Sequence, residues 1–357
     1  SPEFILLTGD IVDNYDYNSF PRYGDQFEKY WQLYQHYLSP ISHIPIIEIG
    51  GNHDMFGVKA VNSPHNFILD YTHSSTRQNT NNLKDFTVRS FQVGQSNTTV
   101  ITMNPFYFPT AHPPLLFFTT VTTQMLDWLE EEVSKCQSKC IVISHYPSSM
   151  THSHNSSKGF KFEDIIGAHK SVLAFLSGHT HPTNPTILHH GQGGLEIVGP
   201  AGYQRSKFGI VTVDNEAFSW STIDNQSPAK GVISYPAPYE QLTPNTIFND
   251  ITNTDIRVIM FSSKTDHEIN FVISSDTNEN IYTGQLGYSR LLNKNNTLYS
   301  FPMSQAIKEK GVYTITFSGD FDGTRKFIVD ETCKVGGEVY PAFPRALQVV
   351  FAIYPLP

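Results

Sequence analysis

Cysteine is scarce, with Cys136, Cys140 and Cys333 the only three in 357 residues. Three thiols cannot build a disulfide scaffold, and their spacing lacks the four-ligand pattern of a zinc knuckle. Cys136 and Cys140 are read as free thiols at a helix end and a strand start, with pairing in an oxidising compartment as the alternative. Basic residues are also in deficit: 24 Lys and Arg against 33 Asp and Glu leave a net charge of −9. That balance excludes a dedicated nucleic-acid binder and offers no basic footprint for an anionic membrane. No apolar run reaches the roughly 18 residues of a transmembrane helix. Sequons at Asn97, Asn155, Asn225 and Asn295 are about as many as chance supplies, so they do not assign a compartment.

Histidine is nearly missing from one part of the chain. Fourteen of fifteen lie between His36 and His190, and the last 167 residues hold only His267. Imidazole available for metal binding or proton transfer is therefore confined to the N-terminal part. The length suits two domains at about 150 residues each.

Short apolar runs bounded by turn residues, at 4–7, 44–49, 100–103, 140–144, 172–176, 195–198, 210–213 and 218–223, predict strands. Helical patterns at 25–38 and 123–135 lie between them; in the second, Leu126, Leu129 and Val133 share a face and Glu130 to Glu132 point largely to solvent. Alternating strands and helices predict α/β layers. After a linker-like stretch at 225–231, period-2 alternation at 256–262, 268–273, 297–302, 312–318 and 326–329 predicts a β-sandwich of immunoglobulin type, without the Cys, Trp, Cys pattern of a true immunoglobulin domain.

Four polar clusters each follow an apolar run: Gly9-Asp10, Gly51-Asn52-His53-Asp54, His145, and Gly178-His179-Thr180-His181. In open α/β sheets the loops beyond the carboxyl ends of strands form the ligand crevice. Carboxylate can bridge two cations, imidazole suits zinc, iron and manganese, and a neutral amide oxygen adds a ligand without charge. A binuclear metal site fits this set.

In that order the four clusters resemble motifs two to five of the calcineurin-like metallophosphoesterase superfamily, and the helix at 123–135 is placed as that family places the helix before its fourth motif. More narrowly, Thr8-Gly-Asp-Ile-Val-Asp13, Gly51-Asn-His-Asp54, Gly178-His-Thr-His181, Leu195-Glu-Ile-Val198 and Asp255-Ile-Arg-Val258 resemble the ectodomain of the transmembrane protein 62 family. The resemblance implies a four-layer α/β/β/α domain at 1–226, a β-sandwich at 232–335 and a membrane-proximal segment at 336–357. It implies two divalent or mixed-valence metal ions (Mn, Fe or Zn), with Asp10 bridging them, Asn52, His145 and His179 on the second and His181 on the first. His53 would be the catalytic histidine and Asp54 would orient it. A hydroxide held by both metals would attack phosphorus in a small mono- or diester.

Asp13 is read as a turn or cap acceptor, with support of the site as the alternative. His112, His152 and His154 could line the entrance, and Arg205, near Tyr203, could supply a fork for phosphate. His189 and His190 are assigned to a strand pair. The family's first motif, Asp-x-His, supplies two ligands to the first metal; the chain starts nine residues before Asp10 and lacks it, so weak binding of the first metal is expected. With apolar residues filling 346–357, the expectation is a fragment that stops at or near a membrane, its ectodomain lumenal or extracellular. The rival is a catalytically inactive, membrane-associated ectodomain used for binding or scaffolding; a third reading keeps the enzyme but gives it cyclic nucleotides or lipid head groups.

Overall fold

The computed structural model describes residues 2–13, 27–73, 82–93, 98–111, 115–136, 139–191, 193–202, 206–214, 217–227, 229–243, 254–276 and 278–329. His112, Tyr203, Arg205, Cys333 and the segment 336–357 lie outside them.

Strand β1 (Ile5–Leu7) pairs in parallel with β2 (Ile46–Glu48), and helix α1 (Glu28–Leu38) lies between them in the chain. Short helices α2 (Asn52–Met55), α3 (Ile68–Tyr71) and α4 (Leu83–Thr87) lead into β3 (Val88–Val93) and β4 (Thr98–Met103). After β5 (Thr119–Val121) come α5 (Thr123–Lys135), β6 (Lys139–Ser144), β7 (Thr151–Ser153), α6 (Phe162–Ala168), β8 (Val172–Ser177), β9 (Thr186–His189) and β10 (Leu195–Val198). A six-stranded sheet runs β3-β4-β6-β8-β10-β9, with β4, β6, β8 and β10 parallel and antiparallel strands at both edges.

The parallel strands are apolar on both faces because both faces are covered. Cys140, Val142 and Phe175 pack outward against Leu126, Leu129 and Val133 of α5 and Ile165 of α6. Their neighbours Ile141, Ile143, Ala174 and Leu176 turn the other way, onto Ile47 of β2 and Ile49 just after it and onto Phe218 of β12 (Ala217–Asp224), which pairs with β11 (Lys207–Asp214). Period-2 alternation thus builds a helix layer, a sheet and a second sheet layer. Trp31 of α1, Met55, Phe67, Phe106 and Tyr146 form a further buried cluster around the loops that leave β1 and β2. Helix α5 starts where predicted, since the Thr122 hydroxyl accepts the amide of Met125.

Two sequence expectations change here. Glu130 is buried, with its carboxylate 2.8 Å from the Lys158 ammonium, because α5 is overlaid by the segment leading to α6. Cys136 and Cys140 are joined as a disulfide. The helix end and strand start that hold the two thiols bring their Cα atoms to 6.4 Å, within reach of a bond.

Beyond residue 230 two four-stranded antiparallel sheets share one core. The first is ordered β13 (Gly231–Tyr235), β14 (Asp255–Met260), β18 (Asn296–Pro302) and β17 (Gly287–Asn293). The second is ordered β16 (Asn278–Gln285), β15 (Ile269–Ser275), β19 (Gly311–Gly319) and β20 (Gly323–Val329). The predicted strands at 256–262, 268–273, 297–302, 312–318 and 326–329 correspond to β14, β15, β18, β19 and β20. β13, β16 and β17 carried no such alternation; β17 is exposed along nearly its whole length. Among the described residues no helix is long and apolar enough to cross a membrane.

Phe271, fully buried on β15, stacks edge-on with Phe301 of the facing sheet at 5.1 Å and lies 6.2 Å from Phe317 beside it. Phe271→Ala should therefore lower the unfolding free energy by about 3–5 kcal/mol, read by urea denaturation. A loss below about 1 kcal/mol would contradict a shared core at this point.

Candidate metal centre

Asp10, Asn52, His145 and His179 each stand just beyond the carboxyl end of a parallel strand, β1, β2, β6 and β8 respectively. The ends of β1 and β2, paired in one sheet, and of β6 and β8, paired in another, bring the four side chains to one point. His145 Nε2 lies 2.9 Å from Asn52 Oδ1, 3.0 Å from His179 Nδ1 and 3.4 Å from Asp10 Oδ1. His179 Nδ1 is itself 3.0 Å from Asn52 Oδ1. Ligand atoms of Asp10, His145 and His179 all fall within 4.8 Å of one another.

The opposite ring nitrogens fix where the protons are. His145 Nδ1 is 2.8 Å from the Thr8 carbonyl and His179 Nε2 is 3.0 Å from the Phe117 carbonyl. A carbonyl can only accept, so each of those nitrogens carries the proton and donates it. Burial pushes the His179 ring down to about 4 and also lowers His145, so both rings are neutral near pH 7. His145 Nε2 and His179 Nδ1 consequently face each other, and the Asn52 oxygen, as bare lone pairs. Three acceptors at 2.9–3.0 Å with no hydrogen between them repel unless a cation lies among them. This donor set fits a metal ion, and the two backbone carbonyls are the outer partners that orient metal-binding imidazoles.

The backbone is bent to make the meeting possible. Of the four non-glycine residues with positive φ among the described residues, three are predicted ligands: Asp10 at 52°, His179 at 68° and His181 at 48°. Such conformations are costly and persist where the surroundings over-determine them. Gly9, at φ 88°, is needed both for that angle and for space, since a Cβ there would lie 2.7 Å from both Gly51 N and His145 Nδ1.

Asp54 holds two of the loops together. Fully buried, it accepts the backbone amides of Ile11 (3.1 Å), Val12 (3.0 Å) and Gly51 (2.8 Å). Burial and the Asp10 charge push its carboxyl well above the usual range, against the pull of those three amides. Glu196 on β10 does the same for the other two loops. Fully buried, it accepts the Ser148 amide (2.9 Å), lies 3.5 Å from the Ser177 hydroxyl and pairs with His190 Nε2 at 2.8 Å. Ser148 stands three residues after His145 and Ser177 two before His179.

The expected role of Asp54 moves to another residue. His53 Nδ1 is 2.9 Å from Asp13 Oδ1, while the His53 amide donates to Asp10 Oδ1 at 3.0 Å. Asp54 has spent its oxygens on backbone amides, so Asp13, first read as a turn acceptor, is the carboxylate that orients the ring. Its signal in the sequence is the spacing Gly9-Asp10-Ile-Val-Asp13, which puts a second carboxylate three residues past the first. His181 is near enough for its charge to depress both His145 and His179, yet the compact group is Asp10, His145 and His179. His152 lies in the middle of β7 and His154 just after it, with exposed side chains and rings 5.6 Å apart. His189 ends β9, within the strand pair as assigned, whereas His190 follows the strand and bonds Glu196, the carboxylate that holds the His145 and His179 loops. A cavity lined by Glu48, Ile68, Phe86, Arg89 and Asn104 contains none of the ligands.

The model of the calcineurin-like phosphoesterase family matches residues 1–183, and the chain belongs to that family. Over 208 residues, 55% of its length, it is 26% identical to the "Putative metallophosphoesterase At3g03305" of Arabidopsis thaliana, and it spans 27% of that relative. Among solved structures it is similar to a dimetal phosphatase from Danio rerio, at 15% identity and a TM-score of 0.37, over 56% of this chain and 72% of that one. It is also similar to an endoglucanase from Alicyclobacillus acidocaldarius, at 14% identity and a TM-score of 0.16, over 22% and 13% of the two chains.

The depressed His179 has a consequence for stability. Its folded value, about 4, lies below the ordinary 6.5, so in metal-free protein the stability carried by the neutral ring is present above pH 6.5 and is lost as pH falls towards 4. The raised Asp54 works in the opposite direction, and a His179→Asn comparison isolates the histidine. Melting temperatures after chelation should fall more steeply from pH 7 to pH 5 in wild type than in His179→Asn; parallel slopes would contradict a buried neutral ring.

Proposed function

We propose that this chain hydrolyses phosphate mono- or diesters at a centre of two divalent or mixed-valence metal ions (Mn, Fe or Zn). The observation that carries this is the set of facing lone pairs on Asn52, His145 and His179 beside Asp10, with His53 and its carboxylate partner next to them. Asp10, Asn52, His145 and His179 would hold metal, with His181 completing the set on the other ion. When bound, the metals supply charge for the phosphoryl oxygens and lower the pKa of a water.

The chain's own residues do the rest. Asp13 accepts a hydrogen bond from His53 Nδ1–H and so leaves proton exchange with the leaving oxygen to Nε2. The His53 amide bonded to Asp10 ties the position of that ring to the metal-binding carboxylate. Asp54 keeps the Asp10 and Asn52 loops at fixed separation. His112 and Arg205 are proposed to meet the substrate phosphate. An inactive scaffold would have no use for a histidine oriented by Asp13 or for ligand rings locked in one tautomer. The narrower reading, an ectodomain of the transmembrane protein 62 type set beside a membrane, is supported by Leu195-Glu-Ile-Val198 and Asp255-Ile-Arg-Val258.

The test is a panel of p-nitrophenyl phosphate, bis-p-nitrophenyl phosphate and cyclic nucleotides with the full-length protein, varying Mn²⁺, Fe and Zn²⁺. His53→Ala should lower kcat about 10²–10⁴-fold, and Asp13→Asn about 10–100-fold as an orienting partner. Turnover of no substrate, or full activity in His53→Ala, would overturn the enzyme.

A further inference from the structure

Two aromatic side chains stand at the metal centre with much of their surface in water. Phe117 and Phe118 are each 48% exposed, whereas Leu116 and Tyr146 beside them are buried. They are not on a loose loop. The Tyr146 hydroxyl donates to the Leu116 carbonyl at 2.7 Å, His179 Nε2 to the Phe117 carbonyl at 3.0 Å, and Thr119 enters β5, which pairs with β7. The Phe117 ring meets the His179 imidazole edge-on at 5.0 Å, and the Phe118 ring lies 5.7 Å from that of Phe117. A segment pinned on both sides keeps two apolar rings in water next to a ligand, which neither core packing nor loop mobility explains.

An apolar body laid across these exposed rings would cover them and release their water. We infer that Phe117 and Phe118 form an apolar lip that takes the alkyl or aryl body of a phosphate ester, so that the substrates are esters of apolar alcohols or phenols. This rests on the phosphoesterase reading and adds the substrate class.

Alkylphosphonates, which carry the phosphoryl group on a bond that is not hydrolysed, test the lip apart from turnover. Ethyl- and octylphosphonate are titrated calorimetrically into the Mn²⁺-loaded full-length protein. Octylphosphonate should bind about tenfold or more tightly than ethylphosphonate, the effect of seating about two methylene groups on apolar surface. Phe117→Ser and Phe118→Ser should each reduce that ratio to about threefold or less, while Phe160→Ser, an exposed ring outside the site, keeps it. Circular dichroism of each variant checks that it folds, and Phe118→Leu, which retains an apolar side chain, should preserve most of the preference. Equal binding of the two phosphonates, or a preference untouched by both serine variants, overturns the lip. A lip that binds octylphosphonate in a protein with no turnover would leave the aromatic surface standing and remove the enzyme.

Discussion

Two imidazole nitrogens and an amide oxygen, all without protons, are held about 3 Å apart, and the rest of the N-terminal structure serves to keep them there. The Thr8 and Phe117 carbonyls accept hydrogen bonds from the N–H groups on the far sides of His145 and His179, so the inward nitrogens of the neutral rings present lone pairs. Burial keeps those rings neutral, the state a cation requires. Repulsion of this kind is tolerated only if something positive resolves it or the scaffold is stiff enough to impose it.

The scaffold has the means. Strands apolar on both faces lock β4, β6 and β8 between a helix layer and a second sheet, so their carboxyl ends cannot shift independently. Two buried carboxylates then stitch the loops that carry the ligands: Asp54 joins the segments carrying Asp10 and Asn52, which leave β1 and β2, and Glu196 joins those carrying His145 and His179, which leave β6 and β8. Positive φ at Asp10, His179 and His181 is the local strain that this stitching sustains. His53 is the outlier, partly exposed and steered by Asp13, as suits a group that must exchange a proton with a ligand.

Much of this was legible in the sequence. Apolar runs ending in Gly-Asp, Gly-Asn-His-Asp, Ser-His and Gly-His-Thr-His mark strand ends and ligands together, because one strand direction fixes both. Asp54 and Asp13 exchanged roles because spacing cannot say which of two nearby carboxylates faces a ring and which faces backbone amides. Glu196 passed for an ordinary strand residue, since its bonds run to Ser148 and Ser177, distant in sequence. The exposed rings of Phe117 and Phe118 lie in an apolar run, Leu115-Leu-Phe-Phe118, that reads as core until their exposure is seen. Strands β13, β16 and β17 carry no such alternation in the sequence, since edge and exposed strands need not alternate.

The most direct measurement is a calorimetric titration of the chelator-stripped protein with Zn²⁺. Saturable binding of at least one ion is predicted, with affinity falling more than tenfold in a folded Asn52→Ala variant. A folded wild-type protein that takes up no Zn²⁺, or an Asn52→Ala variant that binds it as tightly, would contradict a cation among the facing lone pairs.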